Sequence, residues 1–113
     1  MRMSRVILFV TNVTEVSEFY VRFFGFEALP GASSDWVELA GEGCNLGIHK
    51  ARGGSSSGAD SPAKIVFYCA DVPEAKKEFE AQGLKFGKIM EFGDMRFSDA
   101  ADPAGNPIQI SNR

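Results

Sequence analysis

Two cations open two matching stretches of this chain. Arg5 precedes Val6-Ile7-Leu8-Phe9-Val10, and Lys64 precedes Ile65-Val66-Phe67-Tyr68-Cys69 at the matching place later in the chain. A guanidinium stays protonated in proteins and an ammonium gives up its proton only when strongly desolvated, so both are poor metal donors. Their chemistry is to hold a carboxylate, a phosphate or an enolate-like group. His49 is the only histidine and the one imidazole able to act as acid, base or ligand contact. Glu38 offers a carboxylate, Gln109 an amide, and Trp36 and Tyr68 flat faces for stacking. Each has a plainer reading beside it. Arg5 pairs with Glu38 or keeps its head in water, Lys64 is the exposed first residue of its strand, His49 is a hydrogen-bonded strand residue, and Trp36 is buried between sheets.

The elements that must carry these residues repeat in the same order. Arg5 to Val10 reads as a strand buried on both faces because it is apolar almost without interruption. Thr14 or Asn12 caps the helix that follows. Val13, Val16, Phe19, Tyr20 and Phe23 fall at helical spacing, and Gly25 supplies the stop. Three short strands are expected at 27–29, 36–39 and 45–50, divided by Pro30-Gly31 and Gly41-Glu42-Gly43. Residues 51 to 63, with Gly53-Gly54-Ser55-Ser56-Ser57-Gly58, have too little apolar content to pack and read as a connector. The second half repeats the plan. Asp71 caps with Glu74 three residues on, Pro73 suits the first turn, Val72, Ala75 and Phe79 face inward, and Gly83 ends the helix. Strands are expected at 86–91, 95–100 and 107–111, with Asp102-Pro103-Ala104-Gly105-Asn106 as the final turn and Asp99 serving it.

Period-two alternation puts Arg5, Ile7 and Phe9 on one face of the first strand and Lys64, Val66 and Tyr68 on the matching face of its repeat. Gln109, Ser111, His49, Asn45, Trp36 and Glu38 join them, with the facing of the third strand left open. An apolar aromatic wall with a few polar heads is the usual makeup of a small-molecule pocket.

Composition narrows the setting. With 113 residues, 44% hydrophobic and 24% charged, the chain has room for one compact domain. No apolar run approaches the roughly 20 residues of a membrane span, and no signal peptide is evident, so a soluble cytoplasmic protein is expected. A net charge of −3 without a dense basic cluster argues against nucleic-acid or membrane partners. Cys44 and Cys69 lack metal-type spacing and give no disulfide framework.

The two βαβββ modules, Asn12 or Asp71 before each helix, the Phe19-Tyr20 and Gly25-Phe26 ending, and the Gly93, Arg96, Asp102-Pro103-Ala104-Gly105-Asn106 finish together resemble the vicinal oxygen chelate superfamily. That superfamily includes glyoxalases, bleomycin-resistance proteins and extradiol dioxygenases. The resemblance covers roughly residues 4 to 112. It implies an α+β fold in which module one (about 4–50), the connector (51–63) and module two (64–112) form a curved-sheet cup within a single domain, 1–113. It also implies that metal-dependent relatives would present their ligands at Arg5, Lys64, Gln109 and approximately Gly47, none of which is a good donor here.

Three functions follow as expectations. The first is a small-molecule-binding protein of the bleomycin-resistance kind, without metal or other cofactor, a homodimer as that branch typically is, with an anionic ligand held by Arg5 and Lys64 in a cup lined also by Ile7, Phe9, Trp36, Glu38, His49, Tyr68 and Gln109. The alternative is a metal-dependent lyase or dioxygenase of the glyoxalase class, which needs a Lewis acid and survives if His49, Glu38 and Gln109 converge on one ion. A third is a metal-free enzyme using His49 or Glu38 as base with Arg5 and Lys64 as electrostatic stabilisers.

Overall fold

Each half of the chain builds the same sheet in the same order. In this computed structural model the described residues are 1–52 and 62–113, so the expected connector over 51–63 lies mostly outside them. The chain divides into two compact units, Met1–Gly58 and Ala59–Arg113. The first unit runs β1 (Arg5–Val10), α1 (Val13–Phe24), β2 (Glu27–Ala28), β3 (Trp36–Ala40) and β4 (Asn45–Lys50), and its strands lie in the order β1-β4-β3-β2. The second runs β5 (Ile65–Tyr68), α2 (Val72–Ala81), β6 (Met90–Phe92), β7 (Met95–Ala101) and β8 (Pro107–Ser111), in the order β5-β8-β7-β6.

In the first unit, α1 begins where Asn12 Oδ1 accepts the Glu15 N–H at 3.1 Å, which makes Asn12 the cap rather than Thr14. It ends at Gly25, whose φ of 71° puts the chain in the left-handed region. The helix buries Val13, Val16, Phe19 and Tyr20 against the sheet residues Val10, Val37, Leu39, Leu46 and Ile48. At about 1.5–3 kcal/mol for each large apolar side chain, this face is the main source of the unit's stability. Phe19 and Tyr20 meet edge to face with centroids 5.1 Å apart, so the aromatic stripe is core packing.

In the second unit, Asp71 Oδ1 accepts the Glu74 N–H at 3.0 Å, the same cap on the matching helix. Val72, Leu84, Phe86, Ile108 and Ile110 form its core. The closing turn is organised by one buried carboxylate. Asp102 accepts the N–H groups of Ala104 and Asn106 at 2.9 Å and the Asn106 side-chain amide at 2.8 Å.

Three expectations change. β1 is not buried on both faces: only Val10 is enclosed, while Ile7 is 40% and Phe9 56% exposed. It is the outer strand of its sheet, and α1 covers one side of that sheet only. The strand expected over 86–91 shrinks to Met90–Phe92. Gly87 donates to the Asp99 carbonyl at 2.8 Å, and its own carbonyl accepts the Ser98 hydroxyl at 2.6 Å, so a side chain replaces a ladder partner there. Asp99 lies within β7 and does not serve the turn.

Candidate functional site

The face of the first sheet turned away from α1 is set by register. Arg5 stands beside Asn45; Ile7, Gly47 and Glu38 form the next row; and Phe9, His49 and Trp36 form the third. Directly paired residues share a face, and the other parity carries the buried residues under the helix. Trp36 and Glu38, whose facing the sequence left open, therefore lie on the same side as Arg5, Ile7, Phe9 and His49.

The third row is aromatic. His49 contacts Phe9 at 5.3 Å between ring centroids and Trp36 at 5.8 Å, so one imidazole bridges two neighbours on adjoining strands. Its Nδ1 lies 2.7 Å from the Lys50 carbonyl. A carbonyl only accepts, so Nδ1 carries the proton and donates, which leaves Nε2 of the neutral ring as an acceptor. The Trp36 indole reaches over the middle row and lies on Gly47. A Cβ placed on Gly47 would stand 2.5 Å from Cη2 and 2.9 Å from Cζ3 of that ring.

The first row is polar. Arg5 Nε meets Glu38 Oε1 at 3.1 Å, and Asn45 Nδ2 donates to the same oxygen at 3.3 Å. These groups border a recess of about 290 Å³ at the end of the sheet where β1 begins and the β3–β4 turn folds back.

The corresponding face of the second sheet has the same plan. Val66, Gln109 and Asp99 form one row, and Tyr68, Ser111 and Phe97 the next. Counting from Arg5 and Lys64, Asp99 occupies the place of Glu38, Gln109 that of Gly47, and Phe97 that of Trp36. Lys64 Nζ donates to Asp99 Oδ1 at 2.8 Å, and Gln109 Nε2 donates to the same oxygen at 2.9 Å. Burial pushes the Asp99 carboxyl up, but the hydrogen bonds from Lys64 and Gln109 and the Lys64 charge outweigh it and hold the group below its ordinary value. Tyr68 is 73% exposed; Phe92 is 65% exposed and stacks on Phe97 at 6.1 Å with the rings 5° from parallel.

Both cations thus carry carboxylate partners. The expected excess of positive charge from Arg5 and Lys64 together is cancelled locally, and the plainer reading of Arg5 as the partner of Glu38 is what the geometry contains. At these exposures each pair is worth about 0–1 kcal/mol, so its main effect is on local charge. Sequence reasoning put Asp99 in its strand but assigned its side chain to the following turn, and it overlooked Phe97. Carrying the duplication through to the third strands would have found both, opposite Glu38 and Trp36.

Cys69 is a free thiol outside these rows. Burial and then the neighbouring Asp71 charge push its thiol up, against an opposing backbone hydrogen bond to Ser111. Arg96 sits away from these rows, with its Nε on Glu91 Oε1 at 3.0 Å.

A profile of the Glyoxalase/Bleomycin resistance protein/Dioxygenase superfamily matches residues 2–110. The chain belongs to this superfamily. Among solved structures it resembles a lactoylglutathione lyase from Agrobacterium tumefaciens, with a TM-score of 0.79 and 20% identity over 96% of this chain and 91% of that one. A glyoxalase family protein from Enterococcus faecalis gives 0.79 and 19% over 97% and 96%. A possible glyoxalase from Bacillus cereus gives 0.76 and 14% over 97% of each. At these identities the likeness is one of fold. No curated protein matches the chain in sequence. Among the described residues no helix is long and apolar enough to cross a membrane.

The glyoxalase-like positions for metal ligands do not fit a divalent cation in this chain. Arg5 and Lys64 bring positive charge and are ion-paired, and Gln109 directs its amide nitrogen to Asp99. Gly47 has no donor, and the Trp36 ring fills the space a longer side chain would need. Among the described residues no three His, Cys, Asp or Glu side chains stand close enough to hold an ion.

Proposed function

We propose that this member of the superfamily binds a small organic molecule without a metal, as a cytoplasmic homodimer. The observation that supports this most directly is the Trp36 indole lying on Gly47, with His49 and Phe9 beside it. The middle row of this sheet carries that ring where a metal would need donor atoms. An aromatic surface with an acceptor nitrogen at its edge suits a planar molecule that stacks on the indole and donates a hydrogen bond to His49 Nε2. Exposed Val66 and Tyr68 support pairing of chains, because an apolar surface of this kind gains from being covered.

Trp36 is the only tryptophan, so its fluorescence reads the site directly. Planar hydrogen-bond donors such as phenols are expected to quench it saturably, and His49→Phe, which keeps a ring but removes the acceptor, is expected to weaken that binding about tenfold. Stoichiometric zinc, nickel, manganese or iron in protein purified without chelator would overturn the metal-free reading.

A further inference from the structure

The recess at the start of β1 has a composition that the aromatic rows lack. It is lined by Arg2, Ser4, Arg5, Glu38, Cys44 and Asn45, with glycines of the β3–β4 turn, and encloses about 290 Å³. Two arginines and one carboxylate are among its lining residues, so a net positive charge remains after Arg5 and Glu38 have paired. Glu38 is engaged from two sides, by Arg5 Nε and by Asn45 Nδ2, both on Oε1. Arg5 is thereby held by its Nε while a guanidinium has a further, terminal edge made by its two Nη groups. Arg2 has no ion-pair partner among the described residues.

We infer that this recess binds the carboxylate of the ligand whose planar part rests on Trp36, an inference that builds on the metal-free binding reading. The terminal edge of Arg5 takes the two carboxylate oxygens, Arg2 closes over them, and the Ser4 hydroxyl is a neutral donor at the rim. The spacing suits one small molecule. Arg5 and Ile7 are two residues apart on a strand, about 7 Å, and Trp36 covers the row that contains Ile7. The recess is built from residues of the first unit, and Lys64 is paired with Asp99 within the second. The preferred ligand is therefore an aromatic or unsaturated monocarboxylate.

Benzoate and benzamide, which match in shape and differ in charge, separate this inference from the reading beneath it. Amide shifts in NMR titrations of the full chain are expected to show benzoate binding about tenfold tighter than benzamide, with Ser4, Cys44 and Asn45 moving only for benzoate. The preference should fall about threefold or more in Arg2→Gln and vanish in about 0.5 M sodium chloride. Arg2 is exposed and outside the sheet, so its variant tests the recess even if Arg5→Gln perturbs folding. Equal affinity for the two probes, or a preference that survives in Arg2→Gln, overturns the recess. If benzamide still moves Gly47 and His49 in that case, the stacking site stands without it. If neither probe moves any amide, both are overturned.

Discussion

Trp36 and Gly47 sit on paired strands with the indole of one occupying the side-chain volume of the other: a Cβ at position 47 would come within 2.5 Å of the ring. The missing side chain is what lets the ring lie down. Gly47→Ala should therefore cost about 1–3 kcal/mol through overpacking, read as a lower urea midpoint with unchanged slope. In a Trp36→Ala background the same substitution should cost much less, and a double-mutant cycle showing simple additivity would contradict the contact.

Asp99 makes stability depend on acid. Its carboxyl is held below its ordinary value in the folded chain, chiefly by Lys64 and Gln109 against the effect of burial, so in the acid range the unfolded chain binds more protons. The pair's contribution is present above the ordinary aspartate value, about 3.9, and is lost as pH falls through the lower folded value. Comparing Lys64→Met with wild type by thermal melts from neutral pH into this acid range should show the difference shrinking toward the acid end. A gap that widens there would refute the linkage.

The two helix caps are equivalent and should have similar weight. Asn12→Ala and Asp71→Ala each remove one side-chain acceptor from a first-turn N–H and should each cost about 1 kcal/mol in chemical denaturation. Thr14→Ala should cost less than either, because Asn12 holds the cap.

Asp102 organises the closing turn of the second unit. Its carboxylate satisfies two backbone N–H groups and one side-chain amide in a buried turn, so Asp102→Ala strands several donors at once and should cost about 2–4 kcal/mol. Loss of protection from hydrogen exchange at Asn106 in the variant, with the first unit's amides unchanged, would locate the damage.

Much of the fold could be read from the chain because its signals are local and stated twice. Asn12 and Asp71 precede their helices at capping distance, Gly25 and Gly83 follow them, and Asp102 to Asn106 spells out a turn. The rows of the candidate site were half legible. Alternation along β1 placed Arg5, Ile7 and Phe9 together, but nothing local in Trp36 or Asp99 reports which strand they oppose, since register is fixed by pairing across the sheet. Ion pairing was the least legible. Whether Arg5 and Lys64 present charge or have it cancelled depends on Glu38 and Asp99, which reach them across a sheet from distant sequence positions.

The strand order also dictates a sequence of events in time. β3 and β4, like β7 and β8, are joined by short turns and zip up locally, whereas Arg5 must find Asn45 and Ile65 must find Ile108, some forty positions away in each case. Closing such long loops costs more entropy and comes later than closing a hairpin. In the first unit the hairpin is expected to bring Trp36 and His49 together before the strand bearing Arg5, Ile7 and Phe9 docks against them. The site is therefore expected to be completed by the same step that completes the sheet: a first unit stalled before β1 docks would bring Trp36 and His49 together and lack both Phe9 and Arg5.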